Sequence, residues 1–65
     1  MKPTDLKPFD VCLIKGNSST IHFINRSFEA GKNAINTFRT AFGDEIQMND
    51  AEVSAKISIA PWSLP

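Results

Sequence analysis

Cys12 and His22 are the only thiol and the only imidazole in this chain of 65 residues, so they come first as candidates for covalent chemistry. A nucleophilic thiol needs a base within hydrogen-bond reach, a group that orients the base, and donors that stabilise an oxyanion. Asp10 is a candidate orienting group, but so short a chain has little material from which to build a pocket. Cysteine as a small strand hydrophobe and histidine as a half-exposed strand residue is the commoner arrangement. We therefore predict that the chain is not an enzyme and has no cofactor.

Metal binding is also poorly supported by the sequence. One cysteine and one histidine supply only two of the four ligands of an ordinary zinc site, which two chains around a two-fold axis would have to complete. Nucleotide-binding, EF-hand, CxxC and HExxH patterns are missing, and KGNSST has the character of a hairpin turn and not of a phosphate loop. We predict no metal site within one chain.

Basic residues suggest an alternative use of the chain. If the segment around them is helical, Lys32, Asn36 and Arg39 form a ridge on its polar side and Arg26 lies just before it, and basic side chains interleaved with amides can hold phosphates. A solvated face with Glu29 paired to Lys32 is the commoner outcome. The residues that this nucleic-acid-binding alternative would use are Arg26, Lys32, Asn36 and Arg39.

Trp62 lies in the proline-bounded tail PWSLP. Tryptophan is among the residues most enriched at interaction hot spots. In so small a protein the ring can instead close over the core beside Phe9, and we favour that arrangement while keeping Trp62 as a candidate partner contact.

The longest segment with helical periodicity runs from Ser27 to Gly43. At about 100° per residue its apolar side chains fall on one half of the circumference and its polar side chains on the other. Ser27 can act as an N-cap and Gly43 as a left-handed C-cap. Gly31 is the exception, because a glycine inside a helix costs about 0.5 to 1 kcal/mol relative to alanine. We predict an amphipathic helix over this segment.

Two β-rich runs, FDVCLIK and TIHFIN, flank the turn-forming residues GNSS, which predicts a β-hairpin. A slip of one residue in register sends every side chain to the other face of the sheet. Placing Cys12 opposite His22 leaves a loop over residues 16–18, whereas placing Cys12 opposite Phe23 mixes polar and apolar side chains on both faces. We choose the first register because it gives the helix one apolar surface to cover. That surface consists of Phe9, Val11, Leu13, Ile21 and Phe23.

The run from Ala51 to Ile59 alternates strictly between apolar and polar residues, which is the period of a strand with one face in water. A helix capped by Asp50 is the rival interpretation, but helical spacing would scatter the apolar residues around the axis. We predict a strand. Ile46 and Met48 continue the alternation, so a further short strand before this run remains an open alternative.

These elements combine into an α+β domain over residues 9–60, ordered ββαβ or ββαββ, with one amphipathic helix on one face of an antiparallel sheet. Residues 1–8 form an extended arm and residues 61–65 an apolar tail. The second sheet face stays open unless the arm or the tail covers it, and exposed apolar patches often mark interaction surfaces. The residues expected to contact a protein partner are Cys12, Ile14, His22, Ile24 and Trp62.

Composition narrows the class of function. Seven basic and seven acidic residues give a net charge of zero, which provides no dominant field to attract nucleic acid. One cysteine cannot form an internal disulfide, and the first residues lack the apolar region of a signal peptide, so we expect a cytoplasmic location. No stretch is long and apolar enough for a transmembrane helix.

The predicted function is a small non-enzymatic protein-binding module of the inhibitor, adaptor or anti-repressor type, as phages and mobile elements encode. It would act through the open sheet face or a sheet edge. A homodimer formed through the same surface is part of this hypothesis, and weak nucleic-acid binding is the alternative.

Overall fold

The computed structural model describes residues 1–17 and 19–63, and within these ranges the chain forms a five-stranded antiparallel sheet with one α-helix on one face. The predicted α+β class and the layer of one helix on an antiparallel sheet are confirmed. The bounds of the elements are β1 Val11–Ile14, β2 Thr20–Ser27, β3 Ile35–Thr40, β4 Glu45–Asn49, α1 Asp50–Lys56 and β5 Ile57–Ile59. In the described part of the chain, no helix has the length and apolar character needed to span a membrane.

The strands lie in the order β4-β3-β2-β1-β5. The first four strands form a meander, and α1 then carries the chain from edge strand β4 to the opposite edge, where β5 pairs with β1. The helix thereby covers the face of the sheet that it crosses. We call the opposite face the open face, because no helix formed by residues 1–17 and 19–63 lies on it.

The predicted helix from Ser27 to Gly43 is wrong. Ser27 ends β2, residues 28–34 form a connection, and β3 follows. The Lys32 N–H donates to the Glu29 carbonyl at 3.0 Å, and Gly31 has φ +74° within this turn. The glycine that was out of place in a helix is therefore the residue that lets the chain reverse.

The strand predicted for Ala51 to Ile59 is wrong over α1 and correct only for β5, whereas the additional strand with Ile46 and Met48 is present as β4. A capping box starts the helix: the Glu52 N–H donates to the Asn49 side chain at 2.8 Å, and the Asn49 N–H donates to the Glu52 carboxylate at 3.4 Å. Such a box satisfies two otherwise unpaired donors. Val53 alone among the helix residues is buried, so one apolar anchor suffices for two helical turns.

The hairpin of β1 and β2 is confirmed, but its register differs from the predicted one. Cys12 pairs with Ile21 and Val11 pairs with His22. The faces of β2 are as predicted, because Ile21 and Phe23 are buried, whereas the faces of β1 are exchanged. The predicted three-residue loop includes Ser18, which lies outside the described residues.

The core lies between the sheet and α1 around an edge-to-face pair of cross-strand partners. Phe23 and Phe38 have ring centroids 5.5 Å apart at an interplanar angle of 65°, a favourable aromatic geometry. Leu6 reaches this core from the N-terminal arm, which contains one 3-10 turn at Pro3–Asp5 and is not extended throughout. The buried side chains that pack together are Leu6, Cys12, Ile21, Phe23, Phe38, Val53 and Ile57.

Candidate binding site

The open face carries a row of side chains that crosses four strands. Val11 on β1 pairs with His22 on β2, His22 pairs with Arg39 on β3, and Arg39 pairs with Glu45 on β4. These residues point away from α1 because their sequence neighbours, such as Cys12 and Phe38, are buried under it. The Arg39 guanidinium lies 3.3 Å from the Glu45 carboxylate. The row therefore runs from an apolar end at Val11 to a charged pair at β4.

A proline-containing turn precedes β1 at the apolar end of this row. It spans residues 7–10 and is closed by the Asp10 N–H, which donates to the Lys7 carbonyl at 3.0 Å. The buried Asp10 carboxylate also accepts from the Lys7 N–H at 2.8 Å. Pro8 occupies the second position and Phe9 the third, and Phe9 has φ +70°. A third residue with positive φ is the hallmark of a type II turn, which normally requires glycine or asparagine there.

Phe9 is thus held in a conformation that costs a side-chain-bearing residue about 1 to 2 kcal/mol. Hydrogen bonds on both sides keep it there: the Phe9 N–H donates to the Phe23 carbonyl at 2.8 Å, and the Phe23 N–H donates to the Asp10 carbonyl at 3.0 Å. Phe9 as a whole is 76% exposed. Strained backbone of this kind persists only where the surrounding structure enforces it, and it is concentrated at functional sites.

A second proline-containing turn follows β5, but its third residue does not have a positive φ. It spans residues 60–63 and is closed by the Ser63 N–H, which donates to the Ala60 carbonyl at 2.9 Å. Pro61 occupies its second position and Trp62 its third, and the indole is 63% exposed. The Val11 N–H donates to the Ser63 hydroxyl at 3.0 Å, and the Ala60 N–H donates to the Val11 carbonyl at 2.8 Å. This turn is therefore fastened to β1 beside the first one.

The two turns enclose one groove of about 380 Å³, which we call the aromatic groove. Its size is at the lower end of the range typical of ligand pockets. Of its two charged residues, Asp10 is buried and Lys7 is exposed. The lining residues are Lys7, Pro8, Phe9, Asp10, Val11, Trp62 and Ser63.

A second and larger groove of about 490 Å³ lies at the opposite corner of the molecule, between the β1–β2 and β3–β4 loops. Phe42 lines it and is 93% exposed. Phe42 is not in the positive-φ region that Phe9 occupies. Phe42 is therefore a suitable control, because it is an exposed aromatic residue outside the aromatic groove.

Cys12 and His22 do not form a catalytic pair. Cys12 is completely buried under α1, whereas His22 is half-buried on the open face. Burial, reinforced by the nearby Asp10 charge, raises the pKa of the Cys12 thiol to about 11, so the nucleophilic thiolate is scarce at neutral pH. The described residues contain no cluster of three or more histidine, cysteine, aspartate or glutamate side chains that could hold a metal ion.

The residues predicted to contact a protein partner are dispersed. His22 lies on the open face, and Trp62 lines the aromatic groove. Ile24 is the extra residue in an irregularity of β2 between Phe23 and Asn25, and it is half-buried. Ile14 lines the larger groove on the helix side. The placement of Cys12 on the open face was wrong, because the exchanged faces of β1 put it in the core.

The basic ridge predicted for nucleic acid does not exist, because its residues are not on a helix. Lys32 pairs with Glu29 at 3.2 Å in the β2–β3 connection, and Arg39 pairs with Glu45 on the open face. Asn36 is completely buried and cannot reach a phosphate. The fourth residue, Arg26, belongs to a cluster with Asn36 and Asp50.

The cluster of Arg26, Asn36 and Asp50 joins β2 and β3 to the first turn of α1. The Arg26 guanidinium donates to both Asp50 carboxylate oxygens, at 2.7 and 3.3 Å, and the Asn36 amide nitrogen donates to the same carboxylate at 2.8 Å. These bonds, led by the one from Arg26, lower the pKa of Asp50 and raise that of Arg26. Arg26 also lies over the Phe28 ring at 4.8 Å. The cluster holds the helix against the sheet, and none of its three residues lines the aromatic groove.

Comparison with protein families, with curated proteins and with solved structures finds no match for the chain.

Sequence reasoning missed the aromatic groove because it assigned Phe9 to the core. A signal was present in the repeated order of proline, aromatic residue and short polar residue, in Pro8-Phe9-Asp10 and again in Pro61-Trp62-Ser63. Proline favours the second position of a turn, and aspartate and serine readily bond to nearby backbone. The two triplets therefore favour two turns, each with an aromatic residue at its third position.

Proposed function

We propose that this chain is a small non-enzymatic protein-binding module of the cytoplasm, which binds its partner through the open face and the aromatic groove at the apolar end of that face. The observation that carries the proposal is the exposure of Phe9 and Trp62 on one groove, with Phe9 held at φ +70°. A strained backbone that carries an exposed aromatic ring lowers the stability of a small domain without adding to its core. A ligand that contacts the ring offsets that cost.

The chemistry of the surface supports protein as the partner. Tryptophan and other aromatic residues dominate the energetics of protein interfaces, and they bind best when surrounded by groups that exclude water. The polar row beside the groove offers the His22 imidazole and the Arg39–Glu45 pair, which can determine orientation and selectivity. The chain would then be an inhibitor, an adaptor or an anti-repressor of the kind that mobile elements encode. Its partner would be another protein or a second copy of the chain.

Affinity capture with matched variants tests this proposal. The wild-type chain, Trp62→Ala and Phe42→Ala are each immobilised and exposed to a lysate of the source cell. Both substitutions remove an exposed aromatic ring and leave the core intact. We expect at least one protein to be retained by the wild type and by Phe42→Ala and lost with Trp62→Ala. Equal retention by all three chains, or no retained protein, would contradict the proposal.

Sedimentation identifies the homodimer among these possibilities. If the partner is a second copy, the wild type and Phe42→Ala sediment as dimers and Trp62→Ala as a monomer. If all three are monomers at high concentration, the partner is another protein.

A further inference from the structure

We propose that the ligand of the aromatic groove is a proline-rich segment in the polyproline II conformation that carries an acidic residue. This inference rests on the proposed function and specifies the partner's chemistry.

The backbone around the groove excludes recognition by strand addition. A strand-forming ligand needs free main-chain donors and acceptors on the surface that it joins. Here the Val11 N–H is bonded to Ser63, and the Val11 carbonyl is bonded to Ala60. The N–H groups of Phe9 and Asp10 are likewise bonded within the molecule. The groove therefore offers a ligand side-chain surfaces instead of a backbone ladder.

A helical ligand is not favoured at this site. It docks through a row of apolar anchors that spans several turns, whereas this groove of about 380 Å³ lies between two short turns. A polyproline II segment is slimmer, has no internal hydrogen bonds to preserve, and is already ordered before it binds. Aromatic-lined grooves are the surfaces on which proline-rich segments dock.

The groove has the parts that such a segment requires. Phe9 and Trp62 provide two exposed flat rings that can contact pyrrolidine rings. The Trp62 indole N–H is a donor for the carbonyls of the segment, which are free because the conformation makes no internal bonds. Pro8 and Pro61 stiffen both turns, so little conformational freedom is lost when a ligand binds.

The charged residues of the groove predict the second feature of the ligand, its acidic residue. The Asp10 carboxylate is turned inward to the Lys7 N–H, whereas the Lys7 side chain is exposed at the groove. Of the two charged residues that line the groove, Lys7 is therefore the one that a ligand can reach. A glutamate or aspartate within the proline-rich segment complements the charge of Lys7, and a lysine there would be repelled.

The intrinsic fluorescence of Trp62 tests the proposal, because it is the only tryptophan and lines the groove. The full chain is titrated with three peptides of equal length: proline throughout with a central glutamate, proline throughout with a central lysine, and alternating glycine and serine with a central glutamate. We expect a saturable shift of the emission to shorter wavelength with the first peptide. The lysine peptide should bind about two- to fivefold more weakly, and the glycine-serine peptide should leave the spectrum unchanged.

Variants connect the signal to the groove. Phe9→Gly removes one ring at a position whose backbone angle suits glycine, so the fold is kept, and we expect it to raise the dissociation constant about tenfold. Phe42→Ala, in the other groove, should leave the dissociation constant unchanged. No shift with the glutamate-containing proline peptide at about 1 mM, an equal shift with the glycine-serine peptide, or an unchanged dissociation constant in Phe9→Gly would overturn the inference.

The two proposals fail in distinguishable ways. If capture of a cellular protein depends on Trp62 while no proline-rich peptide binds, the groove is a protein-binding site and its ligand is of another kind. If capture does not depend on Trp62 and the peptides do not bind, both proposals are wrong.

Discussion

Phe9 and Trp62 occupy the same position, the third, in two proline-containing turns that enclose one groove on either side of the Val11 backbone. Each turn is closed by a main-chain hydrogen bond, and in each the fourth residue uses its side chain to hold a neighbouring backbone N–H. Two segments from opposite ends of the chain thereby build one surface. This relationship is the basis of the proposed function.

The strain at Phe9 can be measured directly. We expect Phe9→Gly to be more stable than Phe9→Ala by about 1 kcal/mol, because both substitutions remove the exposed ring and only glycine adopts positive φ without cost. Urea denaturation of the two variants gives the difference. Equal stabilities, or a more stable alanine variant, would show that the backbone at this position is not strained.

The Arg26–Asp50 pair makes stability depend on pH in acid. The pKa of Asp50 in the folded chain is below its ordinary value of 3.8, so its contribution is complete above that value and is lost as the pH falls through the folded pKa. We expect Asp50→Asn to lower the stability at neutral pH and to flatten its decline in acid. Denaturation midpoints between about pH 5 and pH 2 check this. Asp44→Asn removes a carboxylate outside the cluster as a control, and an equally steep decline in Asp50→Asn would refute the assignment.

Cys12 should resist modification until the chain unfolds. A pKa of about 11, against an ordinary value of 9.0, lowers the thiolate fraction at pH 8 about a hundredfold, and complete burial prevents access as well. We expect iodoacetamide to label the native chain far more slowly than the urea-unfolded chain. Labelling at the same rate in both states would mean that the thiol is exposed, in conflict with the observed register of β1.

Gly31 gives a test of the secondary structure, because a helix and a turn predict opposite effects of Gly31→Ala on the stability of the chain. If residues 27–43 were helical, Gly31→Ala would stabilise the chain by about 0.5 to 1 kcal/mol. At φ +74° in a turn, the same substitution should destabilise it by about 1 kcal/mol. Gly31→Asn should recover part of the loss, because asparagine tolerates this conformation better. A gain in the thermal midpoint of Gly31→Ala would favour the helix.

Much of the architecture follows from local patterns in the sequence. The β1–β2 hairpin, the inward faces of β2 and the α+β class could be predicted because polar and apolar residues alternate in TIHFIN and turn formers precede it. The β4 strand also follows its alternation. These features depend on residues that are close in the chain.

The errors occurred where the local sequence pattern and the pairing of the strands disagree. Ala34, Ile35 and Phe38 satisfy a helical stripe, and the β3 residues do not alternate between apolar and polar, so pairing with both β2 and β4 is what makes this segment a strand. Strand β1 consists of four consecutive apolar residues, so its inward face cannot be identified without its partners on both sides. The position of Phe9 depended on its backbone angle, which propensity alone does not reveal.

Site-specific cross-linking is the most direct test of the central claim that the aromatic groove contacts a protein partner. A photoreactive tryptophan analogue, which keeps the indole ring, replaces Trp62 in one variant, a photoreactive phenylalanine analogue replaces Phe42 in another, and both are irradiated in the source cell. We predict a covalent adduct with one discrete protein from position 62 and none from position 42. Adducts from position 42 alone, or from neither position, would contradict the assignment of the groove as the binding site.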